Sequence, residues 1–132
     1  MGGGSDLNQK ELFEDLLLSK KGFISDFVNQ GGVGLFICGA YQLLGNYYET
    51  FEGERLEGLG ILDFFTKNEG VENRLVVKIK TLLHRDIKNP LFENLQQRYL
   101  YGFENHGGHT YLGEGLSELG MSGYWAWRGV PQ

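Results

Sequence analysis

The stretch VGLFICGAYQLLGNYYE, residues 33–49, leaves a chain of this kind few folds to choose from. VGLFI (33–37) is a short apolar run without polar alternation, which reads as a strand buried on both faces, the type found in parallel sheets. AYQLLGNYYE (40–49) reads as a helix. Ahead of both, Leu12, Phe13, Leu16, Leu17, Phe23, Ile24, Phe27 and Val28 keep a mostly helical spacing between Asn8 and Gln30. Gly22 divides or weakens that helix, and Gly31–Gly32 end it, as glycine does past a helix C-terminus. Helix, buried strand and helix with tight joints predict an α/β domain built on a parallel sheet.

The middle of the chain changes period. Residues 59–66, 74–83 and 98–105 read as strands; in the second, Leu75, Val77 and Ile79 alternate with Val76, Lys78 and Lys80, so one face is buried. They predict an antiparallel extension of the sheet. GMSGYWAWRGVPQ (120–132) fits neither period. The 132 residues suit one domain with one core. Glycine is abundant, 21 residues against a usual share of ~7%, and clusters at turns without a collagen period. A net charge of −5 with no basic stripe argues against a nucleic-acid partner. One cysteine allows no internal disulfide and fits a reducing compartment. No apolar run reaches the ~18 residues of a membrane span, and no signal peptide opens the chain. The expected location is the cytoplasm.

That cysteine, Cys38, stands at the joint of the predicted strand and helix. A free cysteine is often a small buried hydrophobe. A nucleophile on a strand-to-helix elbow, by contrast, needs small neighbours because the backbone turns sharply. Gly39 and Ala40 follow Cys38 at once, and Gly34 lies four residues before it. The following helix would aim its N-terminus at the sulfur and favour the thiolate. Gln42, four residues on, shares the helix face nearest the thiol, where a carboxamide can donate to and accept from an amide substrate.

ICGAYQLLG (37–45) resembles the nucleophile elbow of class I glutamine amidotransferases of the cobyric acid synthase-like branch. Together with NYYE, GERLEGLGILDFFT and YGFENHGGHTYLG (101–113), it is most similar to the glutaminase subunits of lipid II isoglutaminyl synthases, over about residues 2–120. The resemblance implies a flavodoxin-like α/β fold, mostly parallel with an antiparallel extension. It implies Cys38 as nucleophile, Gln42 in the glutamine pocket and the Gly39 N–H in the oxyanion hole. GGGS (2–5) matches the glycine-rich loop that supplies the second oxyanion donor, through Gly3 and Gly4. Arg74, ahead of a strand, is either a solvated surface residue or a gate to the glutamine pocket; Arg55 is read as surface. A Mur-ligase-like subunit would be the partner in a heterodimer, using ATP and the released ammonia to amidate the lipid-linked D-glutamate. No cofactor or metal is expected in this chain.

The family's catalytic histidine lies in a GTYLHGP-like segment that has no counterpart here. His106 is read as part of a structural turn, His109 replaces the arginine usual in relatives, and His84 is read as a surface residue. The expected organisation is a partial amidotransferase domain, 1–120, truncated at both ends, and a divergent tail, 121–132, with the character of a frame change. Two other readings stay open: an inactive remnant or fragment that still docks on the partner, and a cobyric acid synthase-like enzyme of cobalamin synthesis. A thiol hydrolase on the same type of sheet is a further reading.

Overall fold

A computed structural model describes residues 15–87, 92 and 94–124. The described residues fall into two units, one made of those up to Asn73 with Gly107–Leu116, the other of Arg74–His106 with those from Ser117 onward.

The first unit opens with a π-helical turn, Leu16–Lys20, that runs directly into helix α1, Lys21–Asn29. The turn is tied by Lys20 to Asp15 and by the Ser19 hydroxyl to Asp15. The end of α1 follows from Gly31, which sits at φ +77°, a conformation open to glycine. The N–H of Gly31 donates to the Val28 carbonyl and that of Gly32 to the Phe27 carbonyl, the paired bonds of a Schellman motif. Ile24 is buried and Val28 half-buried, while Phe23 and Phe27 are exposed.

The predicted strand at 33–37 does not form. Residues 32–37 carry no strand pairing among the described residues, and Val33 (79% exposed), Leu35 (73%) and Ile37 (54%) face solvent. Only Phe36 reaches the core. An apolar run becomes a doubly buried strand only between neighbours on both edges and both faces, and among the described residues this run pairs with no strand.

The predicted helix at 40–49 is also shorter. Helix α2 is a single turn, Gly39–Gln42, and Tyr47–Glu49 is strand β1. The reason lies in Gly58–Leu62. The N–H groups of Leu59, Gly60, Ile61 and Leu62 donate to the carbonyls of Leu43, Gly45 and Leu44, so a loop takes the acceptors a continuing helix would need. Gly45 permits this: a Cβ there would lie 2.6 Å from both the ring and the carbonyl of Phe64. Asn46 then gives its N–H to the Phe64 carbonyl and its side chain to Asp63.

Strand β1 pairs antiparallel with β2 (Arg55–Glu57) and parallel with β3 (Phe64–Asn68); β3 pairs antiparallel with β6 (Gly108–Leu112), giving the order β2-β1-β3-β6. The strand expected over 59–66 therefore begins only at Phe64. A 3-10 turn, Val71–Asn73, follows β3. The core consists of Ile24, Leu43, Leu44, Leu59 and Phe64, with Tyr41 stacked on Phe64 at 4.7 Å. On one face the register row Tyr47, Phe65, Tyr111 forms a stack with centroids 4.9 and 5.0 Å apart, and Arg55 covers the outer face of Tyr47.

The next row of that face carries Glu49 between Arg55 and Lys67, at 3.0 and 3.1 Å. Lys67 and Arg55 hold the Glu49 carboxyl below the usual range, and Glu49 in turn raises Arg55. Because the folded pKa is depressed, this stabilisation is present above the ordinary carboxylate pKa and is lost as pH falls through the lowered one. Glu49→Gln is thus expected to be less stable than the parent near pH 7, and the two denaturation midpoints should converge below about pH 4. A constant difference across the titration would assign Glu49 a packing role instead.

The second unit is built on β4 (Leu75–Leu83), flanked antiparallel by β5 (Tyr99–His106) and β7 (Gly120–Tyr124). Leu75, Val77 and Ile79 are half-buried while Val76 and Lys78 are exposed, the alternation present in the sequence. Residues 120–124, which carry no period, are drawn in as a strand by pairing with β4, where the Thr81 and Ser122 hydroxyls meet at 2.7 Å. No helix among the described residues is long and apolar enough to cross a membrane.

Candidate active site

The site is built around one backbone conformation. Cys38 has φ +56° and ψ −126° and is the one non-glycine residue at positive φ among those described. Such a conformation costs a residue with a Cβ on the order of 1–3 kcal/mol and persists only where the surroundings impose it. Here they do so from both sides. The Cys38 carbonyl accepts the N–H groups of Tyr41 (2.9 Å) and Gln42 (3.2 Å), which makes Cys38 the N-terminal cap of α2, and Ala40 donates to the Ile37 carbonyl. Gly39 and Ala40 are buried behind the turn. The thiol itself is exposed. The reading of Cys38 as a small buried hydrophobe does not hold in this structure.

The helix that the sequence placed behind the sulfur amounts to four residues. Its macrodipole is correspondingly small, and what it offers the sulfur is the local N–H groups of its first turn rather than a long-helix field. Gly39 is the first of these residues.

Gln42 closes the turn and is half-buried. Its Nε2 lies over the β3–β6 pair, 3.1 Å from the point where a Cβ of Gly108 would stand; the same point is 2.8 Å from the Thr66 methyl and 3.7 Å from the Tyr48 ring. Tyr48 and Thr66 are buried at 7% and 1% exposure, and the Tyr48 hydroxyl accepts a hydrogen bond from Asn68. Gly107 lies against Asn68 and the Gly70 carbonyl. These neighbours were not singled out from the sequence as site residues. The doubled glycine of ENHGG was the available signal, since a glycine at the first position of a strand marks a close approach.

The structure brings Cys38, Gly39 and Gln42 together on one turn and adds Gly108 beneath Gln42. The remaining predicted residues lie elsewhere in the chain. Gly3 and Gly4 lie outside the described residues. Arg74 belongs to the second unit, where its Nε and Nη2 donate to Asn105 Oδ1 at 3.2 and 2.8 Å across the β4–β5 pair. His106 is on β5 of that unit, its Nε2 3.9 Å from Glu104. His84 is half-buried; its carbonyl accepts from Arg98. His109 is on β6, in register with Lys67, with Nε2 3.4 Å from the Asn73 carbonyl. Tyr111 donates to Glu69 at 2.5 Å, which holds its phenol above the usual range. Among the described residues no three His, Cys, Asp or Glu side chains group closely enough to hold a metal ion.

Comparison with known proteins shows the family. Residues 1–128 match the CobB/CobQ-like glutamine amidotransferase domain. The chain is 40% identical over 123 residues to the GatD subunit of the glutamine-hydrolysing lipid II isoglutaminyl synthase of Streptococcus pneumoniae, covering 93% of this chain and 43% of that protein. It is 41% identical over 111 residues to the GatD subunit of Staphylococcus aureus, covering 84% of this chain and 40% of that one. A probable cobyric acid synthase of Methanococcoides burtonii is 37% identical over 79 residues, 56% of this chain and 15% of that protein. The chain thus spans about two fifths of the length of the GatD subunits it matches. With an exposed cysteine on a strained elbow and a match along nearly its whole length, the chain belongs to the family of CobB/CobQ-like glutamine amidotransferase domains.

Proposed function

We propose that this chain carries the glutamine-cleaving half of an amidotransferase that serves lipid II amidation. The observation that carries the reading is the elbow: an exposed thiol at φ +56°, capping a helical turn whose next two residues are buried Gly39 and Ala40. In the proposed reaction the Cys38 thiolate attacks Cδ of glutamine, and the oxygen that becomes anionic is met by the Gly39 N–H. The proton given up by the thiol ends on the amide nitrogen, the C–N bond breaks to release ammonia, and the thioester is hydrolysed by water to glutamate, regenerating the thiol. Gln42 orients the substrate. Gly3 and Gly4 supply the second donor to the oxyanion. No histidine of this chain is assigned the proton transfer. The ammonia passes to a Mur-ligase-like subunit that consumes ATP and amidates the D-glutamate of the lipid-linked substrate in the cytoplasm. The names of the GatD relatives support the lipid II pathway over the cobyric acid one by their higher identity, 40 and 41% against 37 and 34%.

The test is selective labelling. A glutamine-mimicking diazo ketone should modify Cys38 of the folded chain faster than that of the urea-unfolded chain, and free glutamine should protect. Iodoacetamide, which needs no pocket, should lack the diazo ketone's preference for the folded chain, while glutamine bound at the sulfur should slow both reagents. Equal rates in folded and unfolded protein, with no protection, would remove the glutaminase reading and leave that of an inactive piece that docks on the partner.

A further inference from the structure

The doubled glycine at the start of β6 has a specific task at its second position. A Cβ on Gly108 would stand 3.1 Å from Gln42 Nε2 and 2.8 Å from the Thr66 methyl. Both distances are shorter than ordinary carbon contacts of about 3.5–4.0 Å. Thr66 cannot yield easily. It is 1% exposed, β-branched, on a central strand, and its hydroxyl meets that of Thr110 at 3.2 Å. Tyr48, the other neighbour, is 7% exposed and held by Asn68, whose own Oδ1 accepts the Gly70 N–H at 3.0 Å. The yielding partner is the far end of the Gln42 side chain, which has three rotatable bonds and is only half-buried.

We infer that Gly108 is the positioning residue for Gln42: its missing side chain is the seat on which the Gln42 carboxamide lies, one helical turn from Cys38. This rests on the glutaminase reading for its consequence but not for its geometry. Gln42 sits on a one-turn helix that fixes its backbone, and the β3–β6 surface fixes its amide. A group that meets substrate must be held within a fraction of an ångström, and misplacement by about 1 Å costs as much as 10²-fold. Alanine at 108 therefore lifts the amide off its place without touching the elbow.

The experiment uses the full chain and two readouts. The first is the NMR signal of the Gln42 side-chain amide, assigned by its disappearance in Gln42→Met. The second is the rate of Cys38 labelling by the glutamine-mimicking diazo ketone, set against that by iodoacetamide. Because Gly108→Ala also crowds Thr66, the comparison is repeated between Thr66→Ser and Thr66→Ser/Gly108→Ala, in which the obstructing methyl is gone and the hydroxyl remains. The expected result in both pairs is a displaced Gln42 amide signal, a loss of diazo ketone labelling of at least about tenfold, and iodoacetamide labelling changed by less than about twofold. An unmoved Gln42 signal in the Thr66→Ser pair overturns the inference, whatever the labelling shows. A parent chain with no preference for the diazo ketone overturns the glutaminase reading, and the seat then stands or falls on the amide signal alone. Equal slowing with both reagents would also overturn it, since a general loosening of the unit, not a seat for Gln42, would be the cause.

Discussion

Cys38→Gly is expected to abolish glutamine cleavage and all labelling at this position, while making the fold more stable. Removal of the nucleophile from a covalent mechanism costs on the order of 10⁴-fold or more. The gain in stability comes from the backbone. A residue with a Cβ at φ +56° and ψ −126° stores on the order of 1–3 kcal/mol, which glycine does not. Glycine loses about 0.5–1 kcal/mol more conformational entropy on folding. The net expectation is a gain of about 1 kcal/mol in urea denaturation. Cys38→Ala separates the two effects: it removes the sulfur and keeps the strain, so it should be inactive without the gain. If glycine and alanine gave equal stability, the elbow would not be under strain, and the structural argument for Cys38 would lose its main support.

Phe64→Ala is the substitution expected to cost the fold most. Phe64 is 2% exposed at the centre of the core of the first unit, stacked on Tyr41 and packed against Gly45. Truncation of a buried phenylalanine costs about 3–5 kcal/mol. Its effect reaches the site through Tyr41, which belongs to α2: without the ring beneath it, the turn that carries Gln42 loses its support. Urea denaturation followed by tyrosine fluorescence measures the first effect, and diazo ketone labelling in the absence of denaturant measures the second. A loss below about 1 kcal/mol would mean that the ring is not central to the core.

Where sequence reading succeeded, the cause was local. Gly31 ends α1 because a positive φ is needed there, and a GG pair says so without help from the rest of the chain. Strand β4 shows in its alternation and β5 in the run Tyr99-Leu100-Tyr101, and the elbow shows in Cys38-Gly39-Ala40, since a sharp turn imposes small residues on the spot. Where reading failed, the deciding partner was distant in sequence. The apolar spacing of Tyr41, Leu44, Tyr47 and Tyr48 suits a helix, yet Tyr48 pairs with Thr66 as a strand because residues 58–62 take the helix's acceptors. The run 33–37 has strand composition, yet among the described residues it joins no sheet. β7 has a glycine- and serine-rich sequence that hides its pairing with Leu83 through Ile79. The seat at Gly108 was invisible for the same reason, because a glycine shows that room is needed and not for what.

The fastening of α2 by residues 58–62 sets when the site exists at all. One helical turn is far below the length at which a helix survives alone in water, about 12–15 residues. The elbow therefore has no independent existence. The N–H groups of Leu59, Ile61 and Leu62 hold the carbonyls of Leu43 and Leu44, and the turn is expected to open when those bonds do. Amide exchange at Leu59, Ile61 and Leu62 should thus keep one clock with exchange at Leu43 and with the arming of the thiol. The reactive form of Cys38 would then be a property of a loop some twenty residues downstream, and its lifetime that of the loop's grip.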